Sequence, residues 1–467
     1  MRTAICLLVL LAAVGGVLAQ DLPSPRDMTF EPVTFNPPEP VRFEMPNGIV
    51  VYFLEDHQLP VVTFRAAFRG GTVADPADTI GLTQLTATLM RSGGAGDRSA
   101  DHIDEELDFL GASIESYAAL EQCVVDMRCL RRDLDSVLAI FADIVLRPGF
   151  DSAKVALEKS NLMDEIRRQN DHPGQVTRRL FYQTVYTGHP YGYYATLESA
   201  DRIDRAALVA RHGRGYTPTN CWLAVSGDLS ETDLRALLNR HFGDWTATGA
   251  APSIPAEAEI AYEPGVYYAF KDINQANIRL GHLSLTDRNP DRYAFEVVNF
   301  ALGNGFTSRI TKQVRTTAGL AYSAGTWLSQ RRYGSAFFGY CQTEAGNMSA
   351  ATRMILDIIE GVRVDGITDE EMKLAKESIV NSFVFNATTP RQIVNAQAGL
   401  EVDGFPAEQL QRDLEAYRAV TLEDCRRVAA RYLHPDQMVI VVVGNAELFD
   451  APAGEFGPVT EISLEPR

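Results

Sequence analysis

Between Ile80 and Met90 the chain reads Ile-Gly-Leu-Thr-Gln-Leu-Thr-Ala-Thr-Leu-Met, with Leu82, Leu85, Leu89 and Met90 at helical spacing. This pattern predicts an amphipathic helix that buries that stripe. Gln84, Ala87 and Thr88 stand at i, i+3 and i+4, on another face of the same helix. Before it, strand-like runs cover Ile49 to Leu54 and Val61 to Arg69, joined by a polar turn around Glu55-Asp56-His57. Gly70-Gly71 and a loop through Pro76 separate them from the helix. A second helix, Ala100 to Leu110, ends at Gly111; strands follow at Ser113 to Tyr117 and Cys123 to Cys129. Next come a helix from Leu134 to Leu146, stopped by Pro148, and a long one from Ser152 to about Gln169. Two shorter helical stretches lead to a strand at Cys221 to Val225 and a turn at Gly227-Asp228. Strand-like runs resume at Gly265 to Phe270 and Ile278 to Leu285.

Shifting the chain by 217 residues lays it on itself. Leu157 then meets Leu374, Pro173 meets Pro390, Arg214 meets Arg431, Pro218 meets Pro435, and Gly227-Asp228 meets Gly444-Asn445. The last pair closes matching apolar strands, Cys-Trp-Leu-Ala-Val-Ser and Met-Val-Ile-Val-Val-Val. The pattern therefore predicts two copies of one α+β unit, at 42–246 and 261–450, joined by a linker at 247–260 and followed by a tail at 451–467. Prolines 23, 25, 32, 37, 38 and 40 make 20–41 a further linker.

A length of 467 residues suits two or three domains, and 46% hydrophobic with 22% charged residues reads as globular. At the N-terminus Arg2 precedes an apolar run from Ala4 to Val17 and the small-residue site at Ala19, which predicts a secretory signal peptide over 1–19. The run is short for an uncleaved anchor, so the mature chain is expected to be exported, periplasmic or extracellular, without stable membrane insertion. A net charge of −18 argues against a nucleic-acid partner. Past the signal, five cysteines remain: Cys123, Cys129, Cys221, Cys341 and Cys425. The odd number forbids full pairing, and Cys123 and Cys129 lie too far apart along one strand to bond, so buried thiols are expected.

The repeat, the signal peptide and Gly81-Leu82 ahead of a helix together resemble the insulinase/pitrilysin family of zinc peptidases, above all its half-sized bacterial members and the mitochondrial processing peptidase subunits. His189-Pro190-Tyr191-Gly192, Tyr216 to Asn220, and Ser308-Arg309 through Tyr322-Ser323 add to the resemblance. It implies an α+β fold of two homologous units, each a mostly antiparallel sheet flanked by helices, facing each other around a chamber. Active members carry His-x-x-Glu-His on the helix after Gly-Leu: two imidazoles that bind zinc and a carboxylate that activates water. Here those places hold Gln84, Ala87 and Thr88, which supply neither ligands nor a base. Glu165 matches the family's third ligand, and Glu158, seven residues earlier on the same helix face, matches a supporting acidic position. Two solvated glutamates on an exposed helix would look the same. The eight histidines offer no pair closer than 17 residues, and no serine-nucleophile elbow, phosphate loop or dinucleotide fingerprint is found.

The second unit carries the positive signal. Arg315 and the Tyr322 of Gly-Leu-Ala-Tyr-Ser match a family pair that holds substrate backbone and stabilises an oxyanion at the zinc site. The bland alternative is an Arg ending a helix and a Tyr buried in a strand. Where active relatives bind substrate through Asn-Ala, this chain has Ala112-Ser113-Ile114-Glu115, an edge strand with its backbone alone to offer. The resemblance thus implies a peptide-binding, catalytically incompetent subunit with no catalytic residue and no metal of its own. It would complement a zinc-bearing homologous partner. A non-enzymatic binding or assembly protein of the same fold is the alternative, and an active peptidase with unconventional ligands the remaining one.

Overall fold

The computed structural model describes residues 35–246 and 255–464. The expected signal peptide at 1–19, the linker up to residue 34 and the linker stretch 247–254 lie outside the described residues. From Pro37 onward the chain forms one compact unit.

In its first half run β1 (Val41–Glu44), β2 (Val50–Glu55), β3 (Val61–Arg69), α1 (Leu82–Ser92), α2 (Ala100–Leu110), β4 (Ser113–Ala118), β5 (Gln122–Leu130), α3 (Leu134–Leu146), α4 (Ser152–Arg168), α5 (Pro173–Val185), α6 (Leu197–Asp201), α7 (Arg205–Gly215), β6 (Trp222–Gly227) and α8 (Glu231–Phe242). The second half has β7 (Gly265–Phe270), β8 (Gln275–Leu283), α9 (Arg292–Asn299), β9 (Ala321–Leu328), β10 (Ala336–Glu344), α10 (Met348–Asp365), α11 (Asp369–Val384), α12 (Pro390–Val402), α13 (Gln409–Ala419), α14 (Leu422–Tyr432), β11 (Val439–Gly444) and β12 (Val459–Glu461).

Each half builds one six-stranded sheet, in the orders β1-β2-β6-β3-β5-β4 and β12-β7-β11-β8-β10-β9. The pairs β2–β6 and β7–β11 are parallel and sit at the same place in both orders. Most of the remaining pairs are antiparallel, as in β3–β5 and β8–β10. Past β2 and β7 the two sheets repeat one another; the edges beyond differ. β1 comes from the N-terminal side and lies antiparallel on β2, whereas β12 comes from the stretch expected as a C-terminal tail and lies parallel on β7.

β11 is buried along its whole length, and β6 nearly so. Strands covered on both faces need unbroken apolar runs, which the two repeat-matched segments provide. One face of each sheet carries its own half's helices, in cores around Phe64, Phe141 and Leu138 and around Phe295, Phe337 and Ile355. The other face takes a helix from the opposite half. Pro173 and Pro390, matched by the repeat, each open such a helix at the position where a missing N–H costs nothing. α5 lays Val176, Leu180, Phe181 and Val185 against Val439, Val441, Val443 and Phe338. In return α12 lays Val394 and Ala398 on Val50, Tyr52 and Ala224. The halves are interlocked by this reciprocal exchange. All five cysteines past residue 34 are buried and free.

Candidate functional site

α1 begins at Gly81, which holds φ 105° and caps the helix without a side chain. Asp75 takes over that task from the preceding loop: Oδ2 accepts from the Gly81 N–H and Oδ1 from the Thr83 N–H, both at 3.0 Å. The Thr83 hydroxyl donates to Asp75 and accepts from Arg211 Nε at 2.7 Å. Burial pushes the Asp75 carboxyl up, against the pull of these donors. Sequence reasoning missed Asp75 and Arg211. The available signal was a helix opening on glycine, which needs a side-chain acceptor from elsewhere.

Leu82, Leu85, Leu89 and Met90 are buried, as their spacing predicts, and α1 packs against β4, α7 and α4. Gln84 is exposed and Thr88 half-buried, but Ala87 is 0% exposed. It belongs to the packed side of the helix, not to a polar face shared with Gln84 and Thr88. An amide, a methyl and a hydroxyl do not fit a zinc ion, and among the described residues no group of three His, Cys, Asp or Glu side chains is placed to hold a metal.

α4 lies across the start of α1, with Leu162 Cδ2 3.2 Å from where a Cβ on Gly81 would sit. Glu158 and Glu165 both line an open cavity of about 700 Å³ beside α4, shared with His172, Arg178, Arg179 and Tyr194. Gln84, Ala87 and Thr88 are not among its lining residues. Glu158 accepts from Asn161 Nδ2 at 3.2 Å, and Glu165 is exposed.

Arg315 is exposed in a π-helical turn, Thr311–Thr317. Tyr322 stands on β9 and is 55% exposed rather than buried in its strand. Its hydroxyl donates to Glu344 Oε1 at 3.1 Å, and that bond raises the phenol pKa. Arg309, from the same motif, forms a two-pronged pair with Glu371 at 2.6 Å and so anchors the turn rather than facing solvent. No hydrogen bond or ion pair joins Arg315 or Tyr322 to α1 or α4 among the described residues.

β4 and β9, the strand of Tyr322, are the corresponding edges of the two sheets. At β4, the Ile114 carbonyl accepts from Arg91 Nε at 3.0 Å, and the Ile114 side chain is buried. Part of the edge backbone expected to pair with peptide is therefore already engaged.

Two family models match the chain: Insulinase (Peptidase family M16) over residues 50–196, and Peptidase M16 inactive domain over residues 202–379. An uncharacterized zinc protease of Mycobacterium leprae is 26% identical over 369 residues, 78% of this chain and 81% of that protein. One from Bacillus subtilis is 23% identical over 403 residues, 86% of this chain and 97% of its own. Among solved structures, a peptidase M16 inactive domain from Pseudomonas fluorescens superposes with a TM-score of 0.81 at 23% identity, covering 89% of this chain and 99% of that one. The periplasmic protease PqqL of Escherichia coli gives 0.74 at 14% identity over 90% of this chain, which spans 47% of PqqL. A chain of Candida albicans complex III gives 0.73 at 13% identity over 87% of this chain and 96% of its own. At these identities the structural matches speak for the fold.

Proposed function

The chain belongs to the insulinase family of peptidases, M16, and from that premise we propose that it is a peptide-binding subunit without a zinc centre of its own, completing the site of a zinc-bearing homologous partner. The observation that carries the reading is the contrast between the two halves. α1 offers Gln84, a buried Ala87 and Thr88 where the family's metal motif belongs, while in the second half Tyr322 stays exposed on the edge strand β9 and Arg315 on the π-helical turn before it. A guanidinium and a phenol free of the core are suited to hold a peptide backbone or a developing oxyanion. Glu165 and Glu158 line the cavity beside α4 and would face bound peptide. Export to a periplasmic or extracellular compartment is part of the same proposal.

The test is to purify the chain alone and with a homologous subunit that carries His-x-x-Glu-His, then measure bound zinc and peptide hydrolysis. The chain alone should hold no stoichiometric zinc and cleave nothing, and Arg315→Ala or Tyr322→Ala should lower activity of the pair by at least about tenfold. Equal activity with either variant would overturn the reading. The burial of Ala87, which makes α1 a packing helix, also suits a non-enzymatic assembly protein; that alternative predicts no peptidase partner and no effect of either variant. Stoichiometric zinc lost on Glu165→Ala would instead mark an active peptidase with unconventional ligands.

A further inference from the structure

Besides its apolar stripe, α5 carries the adjacent Arg178 and Arg179, with Tyr182 one helical turn further on. Two arginines of the second half converge on the Tyr182 ring. Arg279 of β8 lies 4.3 Å from the Phe338 ring centre and 5.9 Å from that of Tyr182. Arg331 lies 4.5 Å from the Tyr182 ring, 4.9 Å from Tyr191 and 5.1 Å from Tyr186. The Tyr194 hydroxyl sits in the field of Arg178, Arg331 and Arg179.

None of these four guanidiniums is ion-paired among the described residues, although the chain carries a net charge of −18. Arg179 donates through Nη2 to the Asn170 amide at 2.5 Å, and its Nε is buried with no partner. Nη1 of Arg331 is likewise buried without one. The four carboxylates that line the cavity do not answer them: Asp164 and Asp171 are held by Arg167 and Arg168, at 2.6 and 3.2 Å, and Glu158 and Glu165 form no ion pair with these arginines among the described residues. Burial and the neighbouring Arg178 charge lower the Arg279 pKa. Clustered cations with unmet N–H donors are costly, and an anion supplied from outside repays that cost through charge-assisted hydrogen bonds. The site is open to such a ligand, because Arg178, Arg179 and Tyr194 line the 700 Å³ cavity that also holds Glu158 and Glu165.

We propose that the Arg178–Arg179 wall of this cavity binds a carboxylate of the peptide held there, backed by Arg279 and Arg331 from the other half. The inference rests on the peptide-binding reading above and adds its charge preference. The carboxylate is either the peptide's C-terminus or an acidic side chain.

The test is an anisotropy titration of the full chain with four labelled peptides of one neutral sequence: free C-terminus, amidated C-terminus, and the amidated form with an internal Glu or an internal Gln. At fixed ionic strength, a carboxylate-bearing member should bind about tenfold tighter than its neutral counterpart. Which pair shows the gap identifies the source. The ratio should fall below about twofold in R178Q/R179Q and at least about threefold in the exposed single variant R178Q, while R353Q, a loss of the same charge from α10 outside the cavity lining, leaves it unchanged. Equal affinities within both pairs, or a preference kept in R178Q/R179Q, overturn the proposal. If no peptide binds, succinate decides independently: a Tm increase in the wild type that R178Q lacks supports the anion site and removes the peptide reading, and no increase removes the site.

Discussion

Arg42 on β1 and Glu401 on α12, 359 residues apart, meet through two parallel hydrogen bonds, Nη2 to Oε1 at 2.7 Å and Nε to Oε2 at 2.8 Å. The Tyr52 hydroxyl donates to the same Oε2. These bonds pin the exchanged helix of the second half to the outer strands of the first sheet. Nearby, Arg69 donates to the Val402 carbonyl at 2.8 Å and Gln122 to Asp403 at 2.8 Å, so the end of α12 is held from four strands, β1, β2, β3 and β5.

Arg42 holds the Glu401 carboxylate below its usual range, with the Tyr52 hydroxyl assisting against burial. A depressed folded-state pKa gives stability that is present above the unfolded value of 4.5 and lost as pH falls through the folded one. Glu401→Gln should therefore cost about 1 kcal/mol at neutral pH and less below pH 4, because the pair is partly exposed. Urea denaturation at both pH values checks this.

Glu296 behaves with the opposite sign. Burial pushes its carboxyl up from 4.5 to about 7, against the donors Tyr417 and Gln330. Between those values the folded state binds the proton that the unfolded chain has released, so stability falls as pH rises through the window. Glu296→Gln carries no charge; its carbonyl oxygen still accepts from Gln330, and its amide N–H can donate to the Tyr417 hydroxyl, which reverses that bond. Its Tm should change less than the wild type's between pH 5 and 8, and above pH 7 it should be the more stable protein by roughly 1–2 kcal/mol.

Gly81 has two reasons to be glycine. Its φ of 105° is disfavoured for any L side chain, and an added Cβ would meet Leu162 at 3.2 Å and Ala195 at 3.6 Å. Gly81→Ala should lose about 1–3 kcal/mol in urea denaturation, with β4 the neighbouring strand to lose amide protection first, since α1 packs on it.

Much of the architecture was legible because period-2 and period-3.6 patterns are local. The expected strand Val61 to Arg69 and helices Ala100 to Leu110 and Leu134 to Leu146 coincide with the observed bounds. β12 was not legible, since three exposed residues carry no periodicity. The repeat found Pro173 and Pro390, but amphipathicity says only that a helix has an apolar face, not whose sheet receives it; the exchange of α5 and α12 is set by tertiary packing. At the site, Glu158 and Glu165, seven residues apart on α4, line one cavity. Spacing misjudged Ala87, because a methyl is compatible with either face of a helix. The arginines around Tyr182 and Tyr194 come from separate elements, so no sequence window contains them.

The burial of Ala87 also sets what restoring the family's motif would require. A lone Ala87→Glu places a carboxylate at a position that is 0% exposed, where Arg91, one helical turn on, is already engaged by Asp104 and the Ile114 carbonyl. An unpaired buried charge of this kind should lower stability by about 2–5 kcal/mol near neutral pH, and less at acid pH where the carboxyl is neutral. Adding Gln84→His and Thr88→His supplies two imidazoles one helical turn apart, on a helix that packs against α4, the helix of Glu165. Zinc that binds only the folded form stabilises by mass action, so the triple variant should gain several degrees of Tm with zinc and lose them with a chelator. The wild-type chain should show the same Tm in zinc and in chelator. A chelator-induced drop in the wild type would mean that ligands other than those of α1 hold a metal. No zinc effect in a folded triple variant would mean that α1 and α4 have moved too far apart to share an ion.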